Sequence, residues 1–141
     1  NSRVRPMMLH RAILGSIERF FGVLIEHVGG AFPAWLAPEQ IAIVTVHETF
    51  DGYANEVLAA MKAKGIRAIL DLSNDKLGAK IKAARNLRIP YIAVVGEKEV
   101  AARTLSVRSR DENKELGAID LGEMIARLEV ESLPPSRRPA A

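Results

Sequence analysis

Three histidines, His10, His27 and His47, are the side chains of this sequence best suited to ligating a transition metal, and no cysteine accompanies them. Zinc sites gather three or four nitrogen, sulfur or carboxylate ligands at close, characteristic spacing. These histidines lie far apart, and His27 and His47 have no partner pattern. His27 falls in the last turn of a candidate helix, where positive charge is favoured. Basic residues are more plentiful: Lys76, Lys80, Lys82 and Arg85 flank both sides of an apolar stripe made by Leu77, Ile81 and Ala84, which on composition alone reads as the solvated face of a soluble helix. Past the first candidate strand, Val46 is followed by His47-Glu48-Thr49-Phe50-Asp51-Gly52, with one glycine and two acids. A Gly-rich loop of the kind that cradles phosphate is missing there, which ranks a flavodoxin-like small-molecule binder last.

Composition bounds the rest. At 141 residues and 48% hydrophobic content the chain can bury one ordinary core, so one full domain with an appendage is expected. The formal charge of +3, from 20 Lys+Arg against 17 Asp+Glu, leaves room for a local basic face without by itself establishing a nucleic-acid partner. Without cysteine, no disulfide or thiolate site can form within the chain, which fits a reducing compartment and makes a cytoplasmic location the default. Arg3 and Arg5 precede an apolar stretch, but His10, Arg11, Glu18 and Arg19 break it, so it is not read as a secretory signal. No run approaches the roughly 20 apolar residues of a bilayer span, and a soluble protein without membrane contact is expected. The sequence opens on Asn1 rather than methionine, which favours a fragment of a longer polypeptide.

These residues must be positioned by elements that hydrophobic periodicity outlines. Residues 4–13 read as a strand, followed by Gly15 and a capping Ser16. Ile17, Phe20, Phe21, Leu24, Ile25 and Val28 then recur on one face of a helix ended by Gly29-Gly30. Arg19 stands one residue off that stripe. The segment AFPAWLAP, at 31–38, has two prolines and reads as a non-helical connector that docks its tryptophan. Beyond it, strands at 41–46, 66–72 and 91–95 alternate with helices at 53–64 and 76–87. A hairpin of 104–109 and 116–119 and a helix at 121–133, opened by Asp120 and Glu123, complete the pattern. The fold class is α/β: a mixed sheet of about five strands flanked by three helices, preceded by a strand-helix remnant. The domain boundaries are 1–30, a connector at 31–38, a domain at 39–133 and a disordered tail at 134–141.

The run His10-Arg11-Ala12-Ile13-Leu14-Gly15-Ser16-Ile17-Glu18-Arg19-Phe20 resembles motif 3 of class II aminoacyl-tRNA synthetases, in the wording typical of threonyl-tRNA synthetases. FPAWLAPEQ at 32–40, Asn74-Asp75-Lys76-Leu77-Gly78, Ile89-Pro90-Tyr91, Gly96-Glu97-Lys98-Glu99-Val100 and Val107-Arg108-Ser109-Arg110 look like the same family in the same order. The resemblance covers nearly everything from Arg5 to about Leu128. It implies that 1–30 is the end of a catalytic domain and 39–133 an anticodon-binding domain of the class II type. It also implies that Arg19 supports ATP in the parent enzyme, where the residues alone would read as a solvated helix charge, and that Ser16 lines the adenylate pocket, although a helix cap accounts for Ser16 equally well. His10 matches one of three zinc ligands in the family, a cysteine and two histidines, through which threonine could chelate the metal and valine be rejected. The other ligands lie outside this chain, so neither zinc nor ATP is expected on it alone.

The resemblance further implies contacts to the anticodon loop of the tRNA for threonine from Asn74, Lys82, Arg88, Glu99 and Arg108. The chemistry suits a guanine and a uracil. Asn74 can donate to and accept from a base edge, Glu99 can accept from guanine, and Arg108 can offer a fork to uracil or phosphate. Where the family usually has arginine this chain has Lys82, and often arginine where it has Ser73; lysine keeps the charge and loses the bidentate geometry. The implied parent is a homodimeric threonine-tRNA ligase using ATP, with this chain supplying anticodon recognition and inactive by itself. A free-standing, non-enzymatic accessory protein that reused the fold is the alternative. The apolar face of the 17–28 helix is expected to repack on the domain or between chains.

Overall fold

The structure is a computed structural model that describes residues 3–111 and 114–139. It divides into two compact units, Asn1–Gly30 and Ala31–Ala141.

In the first unit, α1 (Ile17–Val28) begins where the Ser16 hydroxyl accepts the Arg19 N–H at 3.4 Å and donates to the Glu18 carboxylate at 2.6 Å. It ends where Gly29 turns left-handed at φ 58° and Gly30 N–H returns to the Ile25 carbonyl at 3.0 Å, a glycine-terminated stop. None of its residues is buried, and Ile17, Phe20, Phe21, Val23 and Ile25 are exposed. Residues 4–13, expected as a strand, form none. A strand persists only where a neighbour takes up its backbone hydrogen bonds, and no such partner exists among the described residues of this unit.

The second unit is built on five strands: β1 (Ile41–Thr45), β2 (Ala68–Asp71), β3 (Tyr91–Val95), β4 (Thr104–Ser109) and β5 (Lys114–Asp120). Their order is β2-β1-β3-β4-β5; β1 runs parallel to β2 and β3, and β4 is antiparallel to both β3 and β5. The β-branched runs of β1 and β3 are buried on both faces, as central parallel strands require. On one face Ile41, Ile43, Ala93, Val95, Leu105 and Val107 pack with Val57 and Met61 of α2 (Asp51–Ala63) and with Met124 and Leu128 of α5 (Leu121–Glu131). Each such large side chain contributes about 1.5–3 kcal/mol on burial. On the other face Ala42, Val44 and Ile92 pack against Ala84 of α3 (Leu77–Asn86), with Leu77, Ile81 and Ile89 around them. Among the described residues, that second cluster contains no side chain from β4 or β5, and the burial of β4 alternates accordingly: Leu105, Val107 and Ser109 are buried, and Thr104, Ser106 and Arg108 are not. One half of this sheet face is therefore open.

The α/β mixed sheet matches expectation, with three differences. A fourth helix of this unit, α4 (Glu97–Ala102), follows β3; its first turn carries Glu97 and Glu99, and the Glu99 carboxylate accepts the Gly96 N–H at 3.1 Å. Six residues are too few to display a helical repeat in sequence. The segment after 133, expected to lack order, makes one 3-10 turn, Pro135–Arg137, and Arg138 donates to the carbonyls of Leu133 at 3.1 Å and Glu131 at 3.2 Å. The connector is fastened by polar groups more than by its tryptophan, which is only half-buried. Gln40, fully buried, donates to the Ala34 carbonyl at 2.9 Å and to the Ser132 hydroxyl at 2.6 Å and accepts the Arg67 N–H at 2.9 Å. The Arg67 guanidinium reaches the carbonyls of Ala37, Ala34 and Trp35 at 2.9, 3.0 and 3.2 Å.

Candidate nucleic-acid interface

The open half-face is bordered by the end of α3. There Ile89 N–H returns to the Ala84 carbonyl at 3.3 Å and Arg88 N–H to the Arg85 carbonyl at 2.9 Å, the pattern of a helix stop that normally recruits glycine. Arg88 occupies the left-handed position at φ 54°, a conformation costing a non-glycine residue about 1–2 kcal/mol. Pro90 then commits the chain to β3.

Arg110 locks this turn to the end of β4. Its N–H bonds the Pro90 carbonyl at 2.9 Å, its guanidinium donates to the Arg88 carbonyl at 2.6 Å and the Phe32 carbonyl at 2.9 Å, and Asp111 balances its charge at 2.6 Å. Arg108 lies further back on β4, opposite Ile92 on β3 and Glu115 on β5, and its guanidinium donates to the Glu115 carboxylate.

Arg88, Arg108, Arg85 and Arg110 thereby surround a cleft of about 590 Å³, floored by Ile89 and Ile92 and with Glu115 as its acid. Planar cations around a partly apolar floor can pair with phosphate oxygens, offer forks to base edges and stack on base faces.

A second cleft, about 330 Å³, lies beyond the ends of β1 and β2 and is lined by Asn74 together with Ser73, Asp75, Asp51 and His47. Its floor is a buried lysine: Lys80 Nζ donates to the carbonyls of Thr45 and Asp71 and to the Thr45 hydroxyl, each at 3.3 Å. Burial would push the neighbouring Asp71 carboxyl up, but hydrogen bonds from Ser73, its N–H at 2.9 Å, and the Lys80 charge hold it below the ordinary carboxylate range. Asp51 Oδ1 is buried here with no hydrogen-bond partner among the described residues.

Of the five expected RNA-contacting residues, the structure brings Arg88 and Arg108 into one cleft and sets Asn74 in the other. Lys82 is exposed on α3, and Glu99 is half-buried with its carboxylate on Gly96; neither lines these clefts. Lys80, read from sequence with the solvated flank, is instead part of the packed face. Its position three residues after Leu77 and four before Ala84 was the available signal. Arg85 and Glu115 are cleft members that sequence reasoning had not assigned.

In the first unit Arg19 and His10 are exposed, and the Ser16 hydroxyl is engaged by Glu18 and the Arg19 N–H. The Ser16 hydrogen bond holds the Glu18 carboxyl below its usual range. These exposed groups do not enclose a nucleotide. No group of three or more metal-binding side chains exists among the described residues, so a zinc held by His10 would need its other ligands from beyond them.

A half-open sheet face lined by arginines beside a helix end is that of an α/β domain chemically suited to nucleic acid. Residues 40–131 match the family described as anticodon binding domain, and the chain belongs to that family. Threonine-tRNA ligase of Nitrosococcus oceani is 49% identical over 130 residues, which is 92% of this chain and 20% of that protein. The corresponding ligase of Maridesulfovibrio salexigens is 56% identical over 109 residues, 77% of this chain and 17% of that protein. Among solved structures, the RNA-binding domain of threonyl-tRNA synthetase from Cryptosporidium parvum Iowa II superposes with a TM-score of 0.81 at 32% identity, covering 89% of this chain and 31% of that one. The resemblance to threonyl-tRNA synthetases read in the sequence is borne out by these matches. The chain spans about a fifth of the length of the curated relatives it matches.

Proposed function

We propose that this chain is the anticodon-reading part of a threonine-tRNA ligase. The observation that carries the reading is the cleft between the α3 end and β4, where Arg88 and Arg108 converge over an apolar floor in a domain of the anticodon-binding family. Splayed guanine and uracil bases would stack and hydrogen-bond there and at Asn74, while Lys82 and Arg85 hold phosphates. Glu99 would accept from guanine once its carboxylate leaves the Gly96 N–H.

The whole enzyme would activate threonine with ATP and transfer it to tRNA, as a cytoplasmic homodimer, with Arg19 and Ser16 serving the adenylate and His10 serving zinc together with ligands from the catalytic domain. The chain alone would not catalyse. The test is a titration of the full chain with a labelled RNA hairpin bearing a threonine anticodon and with the same hairpin scrambled in the loop. Tighter binding of the first is expected; equal dissociation constants would refute the reading. Threonine-dependent ATP-pyrophosphate exchange by this chain alone would refute its inactivity.

A further inference from the structure

Arg108 does not reach the open face alone. The β4–β5 ladder pairs Thr104 with Asp120 and continues regularly to Val107 with Gly117; the register then shifts, so that Arg108 pairs with Glu115 and Leu116 becomes the extra residue. Gly117 supplies the positive φ of 82° at this bulge. With regular pairing, Arg108 would have faced Leu116, and Glu115 would have faced Ser109 on the packed side of the sheet, because a one-residue slip exchanges the faces of every side chain. The bulge returns Leu116 to the α2/α5 core and presents Glu115 on the open face against the Arg108 guanidinium.

We propose that Glu115 is a positioning residue that orients the Arg108 fork for base recognition. The inference rests on the anticodon-reading proposal and deepens it. The pair is too exposed, at 35% and 69%, for its role to be stability. What it fixes is direction: with one guanidinium nitrogen tied to Glu115 in a cleft that both residues line, the orientation of the remaining donors is restricted. An acid inside a basic cleft repels phosphate, so a Glu115 without this role would only weaken RNA binding.

The two possibilities give opposite signs. Hairpins carrying the anticodon or a scrambled loop are titrated against the full chain and its Glu115→Ala, Glu115→Gln, Arg108→Ala and doubly substituted forms. Glu115→Ala is expected to weaken the anticodon hairpin about three- to tenfold, leave the scrambled one unchanged or tighter, and add nothing to Arg108→Ala; Glu115→Gln falls between. Equal tightening of both hairpins, an unchanged preference, or a loss that persists without Arg108 overturns the proposal. Should the unsubstituted chain bind both hairpins equally, the anticodon reading itself fails. The positioning role is then judged by the NMR signals of the Arg108 Nη2 hydrogens, which donate to Glu115 and which Glu115→Ala must move to the position of free arginine; unmoved signals overturn it.

Discussion

The backbone carbonyl of Arg88, held in a left-handed conformation, accepts a hydrogen bond from the Arg110 guanidinium at 2.6 Å. One arginine thus fixes the turn from which another projects into the cleft. Glycine would suit the conformation better, so the side chain at 88 is retained against a local cost. Arg88→Gly is expected to leave stability unchanged or raise it by up to about 1 kcal/mol, because the strain removed exceeds the chain entropy gained on unfolding. Anticodon-hairpin affinity should fall at the same time. Urea denaturation and the titration, run on one preparation, check both halves.

Arg108→Ala should cost about 1–3 kcal/mol in binding the anticodon hairpin if its fork reaches a base edge. Arg108→Lys keeps the charge without the fork and should recover the salt dependence but not the preference for the anticodon loop. Titrations at several salt concentrations separate these contributions.

Lys80→Met removes the donor shared by Thr45 and Asp71 while keeping the buried stem. Stranding those acceptors should destabilise the fold by about 1–3 kcal/mol. A urea midpoint within error of the unsubstituted chain would contradict the buried role.

Tyr91 donates to both carboxylate oxygens of Glu131 at 2.9 Å, with the Arg127 guanidinium 5.3 Å above its ring. Burial, and then the Glu131 carboxylate, push its pKa from 10.0 up to about 12. A pKa raised on folding means the neutral phenol is favoured in the native state. Its contribution is therefore complete below pH 10 and is lost as pH climbs toward 12. Thermal melts between these pH values should show a falling midpoint that Tyr91→Phe flattens.

Much of the architecture was readable because its cause is local. The continuous apolar runs of β1 and β3, the stripe of α1 and the Asp120 cap of α5 each declare themselves within a few residues. What stayed hidden depends on partners distant in sequence. Residues 4–13 look extended but have no ladder here. Glu115 sits among charged residues read as a turn, and only pairing with β4 reveals the bulge that turns it toward Arg108. Arg88 precedes Ile89-Pro90, which marks the helix boundary, but nothing local says that arginine takes the position glycine usually fills. Asn74, Arg88 and Arg108 came from family resemblance, and only the folded chain separates them into two clefts.

The grip of Gln40 and Arg67 on the carbonyls of Ala34, Trp35 and Ala37 changes where an autonomous module begins. A truncation starting at Glu39 would strip the Arg67 guanidinium of these three carbonyls and the buried Gln40 amide of the Ala34 carbonyl, leaving Gln40 only Ser132 and the Arg67 N–H. The minimal piece worth expressing for RNA work therefore opens at Ala31, several residues ahead of the first strand.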